Sequence, residues 1–168
     1  MKWLVSVVCL IAGTLGAQPT PSQKKHDAPA RVVFVCEHGT VKSLVAVEYF
    51  NRLALARGLN AEAISRGTKP DSVVPGGVRT GLEADGFDIS AFRPQRFTRD
   101  DAVPAILVVA LDADVGTVAS GLAPVIRWDG LPSVTADYGG ARNAIVTRIQ
   151  QLVDSLARRQ AKPGKPES

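Results

Sequence analysis

Eight consecutive residues carry the chemistry for which this sequence is best suited: Cys36-Glu37-His38-Gly39-Thr40-Val41-Lys42-Ser43. A thiol closes an apolar run, five residues turn, and a cation and a hydroxyl open the next apolar stretch. That order suits a tetrahedral oxyanion. Successive backbone N–H groups of a tight loop form an anion nest, and the N-terminus of a following helix adds its positive end. The same fields favour thiolate over thiol. Lys42 can neutralise a bound phosphate. Ser43 can hydrogen-bond the Cys36 thiolate and stabilise it as a leaving group. Glu37, His38, Gly39, Thr40 and Val41 form the anion-binding loop itself, with Gly39 permitting an unusual backbone angle. A phosphate-cradling Gly-x-x-x-x-Gly-Lys loop is excluded by the spacing, as is a dinucleotide fingerprint. Spacing alone gives equal weight to a core cysteine at a strand end followed by a polar turn.

The loop needs a strand before it and a helix after it, and the flanking patterns supply both. Residues 31–36 are a short β-branched run that reads as a buried strand. Residues 41–57 read as a helix, with Val41, Leu44, Val45, Val47, Phe50, Leu53 and Leu55 apolar and Gly58 as the stop. Residues 61–65 form a second strand. Residues 71–85 are helical in their later part, where Val74, Val78 and Leu82 recur every fourth position. Thr98 caps a short turn through Asp101, and residues 105–110 are the strongest strand in the chain. A helical turn at 114–120, a fourth strand at 125–128 and a helix at 141–159 complete the order. Strands alternating with helices predict a single α/β domain in three layers, a four-stranded parallel sheet flanked by helices. Sites in such sheets form beyond the carboxyl ends of the strands, which is where Cys36 falls.

Composition bounds the alternatives. The chain has 168 residues, enough for one domain with a core, and is 45% hydrophobic, 21% charged and only 5% aromatic. The net charge of +4 is mild and partly placed at Arg158, Arg159, Lys162 and Lys165. Without concentrated positive charge and stacking aromatics, a nucleic-acid partner is not expected. Residues 1–17 read as an export signal: Lys2, an apolar run from Leu4 to Ala12, then small residues, with cleavage after Ala17. The run is too short to span a bilayer comfortably, so no stable membrane insertion is expected after cleavage, and the product is periplasmic or extracellular. Residues 18–30 and 160–168 read as disordered flanks of a folded unit over 31–159. Cys9 falls in the signal, which leaves Cys36 as the sole cysteine of the mature chain. No internal disulfide, no metal site and no cofactor are expected.

Several blocks together resemble the low-molecular-weight protein tyrosine phosphatases and the related arsenate reductases. They are the loop 36–43, Phe50-Asn51, Ser65-Arg66-Gly67-Thr68, Gly86-Phe87-Asp88-Ile89-Ser90, Phe92-Arg93-Pro94 and Trp128-Asp129. The resemblance runs from about residue 32 to 156, and the His38 position is shared with the reductase branch. It implies Cys36 as nucleophile, Lys42 in the place of a phosphate-clamping arginine, and Ser43 as the thiolate's partner. The family's proton-donating aspartate would fall at Ser133-Val134, where it is absent; Asp129 and Asp137 are the nearby carboxylates that could replace it. Lysine keeps the charge but not the planar, bidentate fork. The implied activity is hydrolysis of a phosphate monoester, with protein phosphotyrosine or a phosphorylated small molecule as candidates, through a cysteinyl-phosphate. The alternatives are a non-catalytic binder of phosphate or a similar oxyanion, and an arsenate reductase that relies on an external thiol. Elsewhere, Asp88 and Asp100 are expected to cap local turns. Asp112 would cap or reach the site, Arg66 would pack near the loop or form an ion pair, and Tyr138 would line the entrance or anchor the last helix.

Overall fold

A computed structural model of the chain describes residues 28–161. The expected export segment 1–17, most of the expected lead-in and residues 162–168 lie outside the described residues. The apolar runs become strands β1 (Ala30–Cys36), β2 (Ala61–Gly67), β3 (Ala105–Leu111) and β4 (Val125–Trp128). All pair in parallel, in the order β2-β1-β3-β4. Between them run helices α1 (Lys42–Ala56), α2 (Gly76–Ala84) and α3 (Arg99–Ala102) and a 3-10 turn at Gly116–Val118, and helix α4 (Tyr138–Gln160) follows β4. The four-stranded parallel α/β sheet expected from the alternation is therefore the architecture of the domain.

The pleat divides the core. Successive side chains of β1 point to opposite faces. Val32, Phe34 and Cys36 pack with α1, α2 and α4, whereas Val33 and Val35 pack with Phe97, Ala102, Val115 and Ala119. Residues Val32 to Val35 are fully buried, as expected for the central strand of a covered parallel sheet. Phe34 anchors the larger side, with ring centroids 5.7 Å from both Phe50 and Trp128.

Element ends differ from the sequence expectation where tertiary contacts extend them. β2 continues two residues further because Arg66 and Gly67 pair with Val35 and Cys36 of β1. α4 begins three residues earlier because the Asp137 carboxylate accepts the Gly140 N–H at 2.9 Å, a cap that admits two glycines into the first turn. It ends at Gln160, whose side chain exchanges hydrogen bonds with the Asn60 backbone. Around α3 the capping carboxylate is Asp101, not Asp100: Asp101 accepts from both the Thr98 N–H and its hydroxyl. Asp88 does cap its turn, accepting from Ser90 N. Among the described residues no helix is long and apolar enough to cross a membrane.

One polar knot ties the helices of the larger face together. Asp85, at the end of α2, accepts from Tyr49 of α1 at 2.9 Å, from Tyr138 of α4 at 2.6 Å and from Arg142 of α4 at 2.8 Å. Tyr138 is thus an anchor of the last helix. Burial acts to raise the Asp85 pKa, but the two tyrosine hydroxyls and the Arg142 charge outweigh it and hold the carboxyl below its ordinary value. A carboxyl depressed in the folded state stabilises above its unfolded pKa, about 4, and that contribution is lost as pH falls through the lower folded value. Asp85→Ala is expected to cost about 2–4 kcal/mol in urea unfolding at pH 7, since two hydroxyls and a guanidinium lose their acceptor. Asp85→Asn should show a flatter loss of stability than the parent protein below about pH 4.

Candidate active site

The loop between β1 and α1 is shaped by what its carbonyls accept. The Cys36, Glu37 and His38 carbonyls take the N–H groups of Thr68 (3.0 Å), Lys69 (2.8 Å) and Asp71 (3.0 Å), in the segment that follows β2. The Gly39 carbonyl lies 2.8 Å from the Ser65 hydroxyl. A trans peptide sets each carbonyl antiparallel to the next N–H. With four successive carbonyls turned toward β2, the N–H groups of Glu37, His38, Gly39 and Thr40 turn the other way. The Gly39 N–H donates to Cys36 Sγ at 3.2 Å, so the turn wraps the sulfur. This is an anion nest with a thiol at its base.

Two glycines make the clasp possible. Gly39 has φ +68°, and a Cβ there would lie 2.8 Å from Gly67 N; a Cβ on Gly67 would lie 2.9 Å from Gly39 N. Two backbones meet at van der Waals contact, with no room for a side chain on either. Gly67 is opposite Cys36 in the β1–β2 register, so the sheet delivers it to that point.

Behind the nest runs a buried chain of hydroxyls. Cys36 Sγ is 3.1 Å from Ser43 Oγ, Ser43 Oγ is 2.8 Å from Ser65 Oγ, and Ser65 Oγ reaches Gly39 O. Each hydroxyl has one proton. A thiol can donate to Ser43, Ser43 to Ser65 and Ser65 to the carbonyl, which satisfies all three contacts. A thiolate must instead receive the Ser43 proton, and Ser65 can then serve only one of its two neighbours. Ser65 therefore belongs to the site, although its place in the second strand gave no chemical signal in sequence.

The cavity above Cys36 has a volume of about 270 Å³. Cys36, Glu37, His38, Val41 and Lys42 line it on the loop side; Leu131, Ser133, Val134 and Thr135 line the facing wall. Gly39, Thr40 and Ser43 stand behind the lining, with Thr40 and Ser43 fully buried. Lys42 Nζ pairs with Asp112 Oδ2 at 2.5 Å. Asp112 follows β3 with φ +46° and also accepts from Gly130 N at 2.6 Å and Leu131 N at 3.2 Å. It thus fastens the facing wall and holds the loop cation at once. Burial pushes the Asp112 carboxyl up, but Lys42 and the two backbone N–H groups outweigh that and hold it below the ordinary carboxylate value.

The other expected residues sort by position. Asp129 is exposed and pairs with Arg127 at 3.3 Å, and Asp137 caps α4; neither lines the cavity. Arg66 forms an ion pair with Asp101 at 2.8 Å on the far side of the sheet. Glu37 is exposed, 3.5 Å from Lys69. One residue with no sequence signal joins the site: Asp71 takes His38 Nδ1 at 3.1 Å on one oxygen and the Thr40 hydroxyl at 2.9 Å on the other. Among the described residues no group of three His, Cys, Asp or Glu side chains could hold a metal ion.

A parallel α/β sheet with a cysteine anion nest beyond its first strand defines the class. Residues 31–124 match the low molecular weight phosphotyrosine protein phosphatase family, and the chain belongs to that family. No curated protein matches the chain. Among solved structures, YfkJ from Bacillus subtilis is similar at 20% identity and a TM-score of 0.68, over 80% of this chain and 98% of that one. The YwlE arginine phosphatase from Geobacillus stearothermophilus is similar at 19% identity and a TM-score of 0.64, over 83% of this chain and 100% of that one. A thioredoxin-dependent arsenate reductase from Corynebacterium glutamicum is similar at 23% identity and a TM-score of 0.63; the match covers 80% of this chain and 64% of that one. At these identities the likeness is one of fold.

Neutralising Asp112 removes a negative charge beside the nest and leaves Lys42 to the anion. Asp112→Asn is expected to tighten inorganic phosphate about three- to tenfold by calorimetry, the effect of one charge several ångströms away in a wet site. Unchanged or weaker binding would show that the pair does not restrain Lys42.

Proposed function

We propose that the chain hydrolyses phosphate monoesters through a phosphorylated Cys36, with aryl esters favoured and protein phosphotyrosine as one candidate substrate. The observation that carries this reading is the buried Cys36 sulfur, flanked by Ser43 Oγ and Gly39 N at the base of an N–H-lined cavity. In outline, the thiolate attacks phosphorus, the loop N–H groups and Lys42 hold the three oxygens, and the alcohol departs. Water then attacks the cysteinyl-phosphate, and Ser43 stabilises the returning thiolate. Aryl esters are favoured because Asp129 and Asp137 stand outside the cavity, and good leaving groups need least help from an acid.

A second reading has its own support. Lys42 stands where the family resemblance puts an arginine, and its ammonium is engaged by Asp112. That arrangement suits a protein that binds phosphate or a similar oxyanion without efficient turnover. Arsenate reduction ranks below both, because Cys36 and Cys9 are the only cysteines in the sequence and a resolving thiol would have to come from elsewhere.

With p-nitrophenyl phosphate, the mature protein is expected to turn over, Cys36→Ser to fall to background, and Lys42→Arg to gain activity by about tenfold as the bidentate fork is restored. Turnover that persists in Cys36→Ser rules out the covalent route. Tight phosphate binding with no turnover in either Cys36-containing protein favours the binding reading.

A further inference from the structure

A phosphate ester with a poor leaving group needs a proton at the departing oxygen, and the cavity lining restricts its source. Of the two carboxylates in the lining, Glu37 faces Lys69 at the exposed rim. Asp112 has one oxygen on Gly130 N and the other on Lys42 and Leu131 N, and it is held ionised. Ser133 and Thr135 hydrogen-bond to each other at 3.1 Å, and alcohols are weak acids. The Lys42 ammonium is held on Asp112 and is the cation for the phosphate oxygens. That leaves His38, and histidine is the side chain suited to proton exchange near neutrality.

His38 is also held as a proton donor must be. Its Nδ1 meets Asp71 Oδ1 at 3.1 Å, and its carbonyl accepts the Asp71 N–H at 3.0 Å, a two-point clasp between the two residues. Asp71 is fixed in turn by the buried Thr40 hydroxyl on Oδ2. With Nδ1 on Asp71, Nε2 is the ring nitrogen with no partner among the described residues. A carboxylate so placed fixes the orientation of an imidazole. The ring is half-exposed, and His38 is one of the residues that line the cavity. In-line attack by Cys36 directs the leaving oxygen to the side of phosphorus opposite the sulfur.

We propose that His38 is the proton donor to the departing ester oxygen, with Asp71 as its positioning residue; this rests on the phosphatase reading above. The Cys36 sulfur lone pair forms the S–P bond as the P–O ester bond breaks and its electron pair passes to oxygen. The proton on His38 Nε2 moves to that oxygen, and the alcohol leaves. Neutral His38 then takes a proton from the attacking water as its oxygen bonds to phosphorus. The S–P bond breaks, its electrons return to sulfur as thiolate, and hydrogen phosphate departs with His38 protonated again.

The test compares kcat/KM for p-nitrophenyl phosphate and phenyl phosphate in the parent protein, His38→Ala and Asp71→Asn. His38→Ala should lose about 10²-fold or more on phenyl phosphate and less than about tenfold on the nitrophenyl ester. Added imidazole should restore part of the phenyl phosphate rate, and competitive inhibition by inorganic phosphate should persist. Asp71→Asn should show a smaller loss with the same dependence on the leaving group. Equal losses on both esters, or no loss on phenyl phosphate, overturn the role of His38 while leaving the phosphatase reading standing. If the parent protein turns over neither ester, that reading fails and the proposal fails with it.

Discussion

The site depends on the clasp between the loop that follows β1 and the segment that follows β2. Three loop carbonyls are committed to backbone N–H groups of that segment, and a fourth to Ser65 in β2 itself. Their commitment is what turns the next four N–H groups away from β2, and the Gly39 N–H meets the Cys36 sulfur. Neither segment could approach closely without glycine at both 39 and 67. The parallel register between β1 and β2 then determines where the clasp closes, because it sets Cys36 opposite Gly67. Sheet, turn and thiol are in this sense one structure.

The charges around the nest are unevenly distributed. Lys42 is the cation that lines the cavity with the sulfur, yet its ammonium lies on Asp112, which also secures the facing wall through Gly130 and Leu131. An arriving dianion must share or take that ammonium. An arginine has donors enough to serve a carboxylate and two phosphate oxygens together, whereas a lysine has three donors at a single point. The Lys42–Asp112 pair thus sets how strongly the site can grip its anion.

How much of this was legible in the sequence depends on contact range. Residues 36–43 could be read as a nest because strand, turn and helix N-terminus are contiguous, and the β-branched and aliphatic runs announced the sheet. The helix-capping role of Asp137 and the Thr98–Asp101 capping box are also local patterns, although the sequence equally offers Asp137 as a carboxylate for chemistry and Asp100 as the cap. The partners of Asp71 and Asp112 lie 33 and 70 residues away, so the sequence offers Asp112 only as a residue that caps or reaches the site and gives Asp71 no role. Only the fold brings the residue after β3 and the loop after β2 to the same end of β1. The family match itself stops at residue 124, so the wall formed by residues 131–135 lies beyond it.

The central claim is that the nested sulfur of Cys36 becomes covalently phosphorylated. Rapid quenching of the protein during turnover of an aryl phosphate, followed by intact-mass and peptide analysis, tests it directly. One phosphoryl group per chain is expected, carried on the peptide that contains Cys36 and absent from Cys36→Ser. Turnover with an unmodified Cys36 peptide, or a phosphoryl group on another residue, would contradict it.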